Sequence, residues 1–349
     1  MNLRLFFSLL ALICLNKTIA QIEDFETIDF KKADSIATLY KGNSLDNLPE
    51  LVFNLTNELE TDVERFRAIY YWVCTNVKND YSLYAKNKRK RKKLRLDSLK
   101  LEQWNEKFKK KIFATLLKKK RTICSGYAFI VKSLCDIANI KCTIVDGWGK
   151  TSTTEEDELI DPNHSWIAVN LENKWYLCDP TWAAGSQNSK NGRFKFNYND
   201  GFFLAPPKLF FVNHFPLYKN WFLNVENEKT FQKFMEAPII YNATYNKLNS
   251  CDSPNKLYNL IHKNYTVNLK YSLKHNINIR QIKLVLDNGT ESKTVRPDKI
   301  SLDNKNLIVF YLMKKTGVYD LHLKIDDKYI ASYTYEVIPK PKHQNSPNQ

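Results

Sequence analysis

The sequence predicts an α+β domain followed by a small all-β sandwich, and three observations carry that expectation. Apolar residues recur at helical spacing over Thr61–Val77 and Thr122–Asn139. Short strand patterns follow at Lys141–Val145, Ser165–Leu171 and Lys174–Cys178. Beyond about Ala237 the pattern is strand-like throughout. At 349 residues, 43% of them hydrophobic and 13% aromatic, the chain can fill one or two packed cores and is too apolar to be disordered. No apolar run reaches ~18 residues, which excludes a multi-span membrane protein.

Taken in order, the N-terminus reads as an export signal. Arg4 supplies its positive end, Leu5–Leu15 the apolar core, and Thr18-Ile19-Ala20 a small-residue cleavage site before Gln21. Ile13 ahead of Cys14 argues against a lipid-anchored cysteine. The protein is therefore expected outside the cytoplasm, secreted or periplasmic. Behind a Thr61-Asp62 start, Val63, Phe66, Ile69, Val73 and Val77 mark the first helix. A basic, partly helical stretch runs from there to Arg121. The next helix presents Cys124, Ala128, Val131, Leu134, Cys135 and Ala138 on one face.

After the three short strands, an irregular Gly/Asn-rich segment spans Gly185–Gly201, and a Pro-rich tract runs through Pro216. In the C-terminal part, Tyr265, Val267, Leu269, Tyr271 and Leu273 alternate with polar residues. Asn288-Gly289 is a hairpin turn, and Asp326-Asp327 joins the last two strands, Tyr319–Ile325 and Tyr329–Val337. The expected organisation is a signal segment at 1–20, a first domain at 21–236 with a basic insert at 86–121, a β-sandwich at 237–339 and a disordered tail at 340–349.

The net charge of +16 suggests a nucleic-acid binder until its distribution is examined. Lys86–Arg121 holds 17 Lys/Arg against Asp97, Glu102 and Glu106, and the rest of the chain is nearly neutral. Export removes the usual nucleic-acid partner, and the run KNKRKRKKLRL lacks the interleaved aromatics that would stack bases. An anionic surface fits better, whether lipid headgroup, acidic polysaccharide or acidic protein; the alternative is a solvated loop. Six cysteines follow the signal: Cys74, Cys124, Cys135, Cys142, Cys178 and Cys251. They are too few for a disulfide scaffold, although Cys142 and Cys178 on predicted strands could pair. CxxC pairs and Cys/His clusters are absent, so no cofactor or metal is expected.

The chemistry gathers between Cys124 and Asp179. With Thr122 as N-cap, Cys124 falls in the first helical turn, where free N–H groups and the helix dipole favour a thiolate. Its own N–H can face a developing oxyanion. His164 opens one strand, and Asp179 lies just past another. If Glu172-Asn173 is a two-residue turn, His164 pairs opposite Thr181, and Asp179 becomes its diagonal neighbour on the same face. Cys178 then points to the opposite face. A helix-borne thiolate, an imidazole serving as base and then acid, and a carboxylate that orients the ring make a nucleophilic triad. The competing reading is a buried small hydrophobe, an edge-strand histidine and a turn former before Pro180.

These residues also carry a resemblance. Cys124-Ser-Gly-Tyr-Ala, His164-Ser-Trp-Ile-Ala-Val and Trp175-Tyr-Leu-Cys-Asp179-Pro-Thr-Trp resemble the three core motifs of the transglutaminase-like superfamily. Arg67-Ala-Ile-Tyr-Tyr-Trp-Val, Phe202-Phe-Leu-Ala-Pro-Pro and His214-Phe-Pro…Trp221 are similar to the flanking motifs of its branch related to the kyphoscoliosis peptidase. The resemblance covers about Asp62–Leu223. It implies a papain-like fold, catalytic helix plus antiparallel sheet, with nucleophile Cys124, base His164 and orienting Asp179. It further implies amide chemistry on a protein or peptide through a thioester. Hydrolysis, as a cysteine peptidase or amidase, stands slightly ahead of crosslinking as a protein-glutamine acyltransferase. The alternative is an inactive adhesion or scaffold protein.

Further candidates are substrate contacts. Trp182, just beyond Asp179, is best placed to touch substrate, Trp166 could wall the cleft, and Trp104 could offer its indole N–H to an oxyanion. His214 has no evident partner in the sequence. Glu155–Glu158 lacks EF-hand spacing and reads as a solvated loop, with the rim of the site or an ion site as its other reading.

Overall fold

The computed structural model describes residues 22–188, 193–223 and 230–340. The expected signal segment at 1–20 and, from 341 onward, the expected tail lie outside the described residues. No helix among the described residues is long and apolar enough to cross a membrane.

Three helices open the fold: α1 (Lys31–Leu39), α2 (Leu48–Thr56) and α3 (Asp62–Asn76). A reciprocal capping box starts α3, with Thr61 accepting from the Glu64 amide and Glu64 accepting from that of Thr61. Phe66, Ile69, Tyr70, Trp72 and Val73 are fully buried, so α3 is packed on most of its sides. Arg67 on the same helix is buried with its charge paired. It binds both oxygens of Asp34 at 2.6 and 2.9 Å, and also Asp200 across the fold.

The basic segment is a helical arm. Parallel pairing of β1 (Lys78–Asn79) with β2 (Arg121–Thr122) clamps its two feet. Between them run α4 (Tyr81–Leu94), capped by Asp80, and α5 (Ser98–Lys119), capped by Asp97. Leu83, Phe108, Ile112 and Ile123 form a small core of their own, separate from the main one, with Tyr84 and Trp104 packed against it. The partly helical stretch of the sequence reading is thus two helices, and most of the KNKRKRKKLRL run is α4.

Helix α6 (Cys124–Ile137) packs on a sheet of β3 (Cys142–Gly149), β4 (His164–Leu171) and β5 (Lys174–Cys178). The chain then forms α7 (Pro180–Ala184), the short ribbon strands β6 (Gly185–Gln187) and β7 (Phe194–Phe196), α8 (Pro207–Asn213) and β8 (His214–Pro216). Strand β8 closes the free edge of β3, giving the order β5-β4-β3-β8. The Pro-rich tract therefore holds a helix the sequence reading missed. Pro207 occupies its first turn, where a missing N–H costs nothing.

The remaining strands make two sheets. One is ordered Leu248–Ser253, Tyr265–Leu273, Asn306–Met313, Lys299–Asp303, and the other is built around Lys328–Ile338 and Gly317–Ile325. Val267, Leu269, Tyr271 and Leu273 are buried, as their alternation predicts, whereas Tyr265 at the start of the strand is exposed. Asp326 and Asp327 both have positive φ, the twist a two-residue hairpin requires. The sheets share one continuous core with the first part of the chain. Phe202 stacks on Tyr245 at 4.0 Å, and Lys150 Nζ donates to the carbonyls of Phe234, Met235 and Ala237 at 2.7–3.1 Å.

Candidate active site

The sequence brings Cys124 to a helix start by an unusual route. Thr122 belongs to the β1–β2 bridge, and its carbonyl accepts the Asp80 amide at 2.7 Å. Ile123 holds the N-cap position in extended conformation and provides no side-chain cap. The expected Thr122 cap is thus corrected: the residue just before the helix is Ile123, one position later, and the Thr122 Oγ1, although it lies against the first turn, is buried without a hydrogen-bond partner. Gly126 follows from this crowding, since a Cβ there would lie 1.7 Å from Thr122 Oγ1. Cys124 is the first helical residue, so the unbonded amides of the first turn and the positive dipole end lie at its sulfur.

The register of β4 and β5 is the predicted one. Leu171 pairs with Lys174, and Ile167 with Cys178. Glu172 and Asn173 carry φ of 48° and 62°, the paired left-handed residues of a tight hairpin. Pairing stops at Cys178, because Asp179 caps α7 by accepting from the amides of Thr181 and Trp182 at 2.8 and 3.0 Å. Thr181 therefore sits in a helix and not opposite His164. The contact the register implied is still made: His164 Nε2 lies 2.7 Å from Asp179 Oδ2. Cys124 and His164 line one cavity, and with Nε2 taken by the carboxylate, Nδ1 is the ring nitrogen left for the thiol.

A second imidazole shares that carboxylate. His214 Nε2 lies 3.1 Å from the same Oδ2, and its Nδ1 faces Asn213 Oδ1 and the Phe210 carbonyl at 3.0 and 3.1 Å. Tyr245 hydroxyl donates to Asn213 Oδ1, so a hydrogen-bonded chain reaches from Asp179 to the C-terminal part of the fold. Sequence reasoning left His214 without a partner. Its signal was weak, 35 residues beyond Asp179 in a Pro-rich tract, and only the β8–β3 pairing brings it home.

Burial orders these groups. Asp179 and His214 have no exposed surface, and His164 has 8%. Burial alone would lower the His164 pKa, but the Asp179 carboxylate, joined by Cys124, outweighs it and pushes the ring up to about 10. Burial would likewise raise the Asp179 carboxyl, but the two imidazoles hold it well below the carboxylate range. For His214 burial wins and takes it down to about 4. The nitrogen and oxygen atoms of these three residues lie within 4.8 Å of one another, a grouping that could hold an ion. The 2.7 and 3.1 Å contacts, however, are hydrogen-bond lengths that already engage the shared oxygen.

Cys124 and His164 open onto a cavity of about 730 Å³. Asp146, Asn163 and Ser165 line it from the sheet side, and Glu158 stands at its rim, hydrogen-bonded by Tyr84 at 3.1 Å and paired with Lys88 at 2.8 Å. Of the acidic loop, Glu158 thus takes the rim reading, while Glu155 is exposed and does not line the cavity. Of the tryptophans, Trp166 is fully buried in the core and cannot touch substrate, which corrects that expectation. Trp104 stacks on Phe108 inside the arm and donates its N–H to Asn87 Oδ1 at 2.9 Å, so no oxyanion donor remains there. Trp182 stacks on His164 at 4.8 Å and 20°, fixing the ring plane, and does not line the cavity. The six described cysteines are free thiols. Cys142 neighbours Cys135 instead of bonding Cys178, whose sulfur accepts the Leu204 amide at 3.2 Å.

Residues 49–180 match the family model described as the transglutaminase-like superfamily, a span that includes Cys124, His164 and Asp179. The chain is 31% identical over 220 residues to kyphoscoliosis peptidase of Mus musculus and of Homo sapiens, covering 62% of this chain and 30% of each relative. Hillarin of Drosophila melanogaster is 23% identical over 228 residues, covering 62% of this chain and 25% of that protein. The chain therefore spans less than a third of the length of these curated relatives.

Proposed function

Taking residues 49–180 as the transglutaminase-like superfamily domain that they are, we propose that the chain is a cysteine enzyme acting on protein or peptide amides. Cys124 Sγ attacks the amide carbonyl, and His164 holds the thiol proton. The Cys124 N–H faces the oxyanion at the helix start. As the tetrahedral intermediate collapses, His164 gives its proton to the departing amine, leaving a thioester on Cys124. Water enters, His164 takes its proton, and the acid is released with the thiol restored. A lysine amine in place of water would give an isopeptide crosslink; hydrolysis is the reaction proposed. Asp179, through Nε2, holds the ring in position and steadies its charged form. The Arg4, Leu5–Leu15 and Ala20 pattern supports a protein exported to the periplasm or medium.

The observation that carries this reading is an imidazole bound by a fully buried carboxylate and sharing one cavity with a cysteine at a helix start. The test is iodoacetamide alkylation of Cys124 at pH 6.5, in the wild type and in His164→Ala, read by peptide mass spectrometry. The wild type is expected to react at least ~10-fold faster, since the thiolate is the reacting form. Equal, slow rates would sink the enzyme and leave the scaffold reading. Mass spectrometry of the acyl-enzyme released into water or into an amine then separates hydrolysis from crosslinking.

A further inference from the structure

The wall facing Cys124 across the cavity is made by the segment whose charge stands out in the sequence. Helical spacing divides the basic run of α4 in two. Lys88, Arg91, Lys92 and Arg95, at i, i+3, i+4 and i+7, line the cavity. Lys86, Arg89 and Lys93 do not line it, and Lys90 sits over the Trp104 ring. From α5, Lys109 joins the lining at the same spacing from Asn105 and Phe113, and Phe108 and Ile112 add an apolar floor. Five cationic side chains and three carboxylates thus surround the space above the thiol.

The three carboxylates already have partners on the protein. Glu158 pairs with Lys88, Asp161 lies 3.5 Å from Arg95, and Asp146 accepts the Ser165 hydroxyl at 2.6 Å. Arg91 and Lys109 make no ion pair among the described residues. Arg91 is half-buried, and an uncompensated cation in a partly enclosed cleft raises the local potential toward anions. Glu158 and Asp161 show how a carboxylate seats on this wall, and an incoming acidic chain would extend the pattern.

We propose that the α4–α5 arm selects the substrate: the cavity takes a polypeptide with Asp or Glu side chains beside the attacked amide, held by Arg91 and Lys109. This rests on the proposed cysteine chemistry at Cys124. The use of the inner face favours a substrate over an anionic membrane, which would use Lys86, Arg89 and Lys93.

The test compares iodoacetate with iodoacetamide at Cys124, each rate normalised to free cysteine in the same buffer. At low ionic strength the wild type should favour the anionic reagent by about fivefold, an effect that salt screens away. Arg91→Gln with Lys109→Gln should remove most of the preference, and Lys86→Gln with Lys93→Gln should keep it. For peptides sharing one amide, Glu flanks should give at least ~10-fold higher kcat/KM than Gln flanks, since every tenfold needs only ~1.4 kcal/mol. A wild-type ratio near one, or an equal loss in both double variants, overturns the proposal. So does binding to phosphatidylserine vesicles through the outer face with no reagent preference at Cys124. Alkylation needs only a thiol in the cavity, so it reads out without turnover. No turnover with a high reagent ratio sinks the enzyme reading alone, and turnover with a ratio of one sinks the selector alone.

Discussion

The back and the front of the cavity are built to different specifications. Behind the His164 ring, Asp179, His214 and Tyr245 have no exposed surface, and their hydrogen bonds run into a core continuous through both parts of the fold. In front, the arm rests on four buried side chains, a two-residue bridge and the pairings of Lys88 and Arg95 with the rim. Under the proposed chemistry the difference separates two tasks. Groups that exchange protons must be held within fractions of an ångström, so they are packed and bonded from every side. A wall that is to admit the proposed polypeptide must give way, and a small satellite cluster suits that.

The comparison breaks most severely at Asp179. Asp179→Ala removes the acceptor for both imidazoles and the cap of α7 together. Turnover should fall by about 10⁴, the scale seen when a triad carboxylate is lost. Stability should fall by about 2–4 kcal/mol, from the lost cap and the orphaned N–H groups. Steady-state kinetics with urea melts checks both. An active, normally stable variant would show that the back of the site does not position the ring.

The two imidazoles sharpen the comparison through pH. His164 has its folded pKa raised to about 10, so its stabilisation is full below its unfolded value near 6.5. It is lost as pH rises through about 10. His214 is depressed to about 4, so its contribution is present above ~6.5 and lost as pH falls through about 4. Each limb is worth a few kcal/mol at most, at ~1.4 kcal/mol per pKa unit. Thermal melts across pH should show His214→Gln flattening the acid limb alone, with turnover down about 10–100-fold, as for a group that orients another. A variant with unchanged limbs would make His214 simple packing.

Much of the back was legible in the sequence, and little of the front. Glu172-Asn173 between two short strand patterns set the register, and with it the nearness of His164 to Asp179. Helical spacing put Cys124 at a helix start. Thr122 misled because residue type does not say at which residue the helix begins, and the pairing of Thr122 with Asn79 moves that start to Cys124. Trp166 was read as a wall of the cleft and Trp104 by its indole N–H, and local packing took the one into the core and gave the other to Asn87. His214 depends on strand pairing between distant segments, which no local pattern encodes. The arm's charge was obvious, but which charges face the thiol follows from where α5 and Ile123 seat the hairpin.

The smallest expected effect tests how the arm is held. Ile112 is buried in the satellite cluster with Leu83, Phe108 and Ile123, and it also forms part of the cavity floor. Ile112→Ala deletes packing from a cluster of four, which should cost about 2 kcal/mol, the low end for such a truncation, because the neighbours can close in. The cost falls on the arm, since α4 and α5 touch the main core chiefly through Leu116. Hydrogen exchange should therefore speed up across 81–119 while α3 and β4 keep their protection, and the global melt should move little. Phe66→Ala, in the main core, should instead cost about 3–5 kcal/mol and lower the whole transition. If Ile112→Ala lowered the global melt as much as Phe66→Ala does, the arm would be part of the same cooperative unit as the core. Front and back would then share one stability, and selectivity would have to come from charge alone.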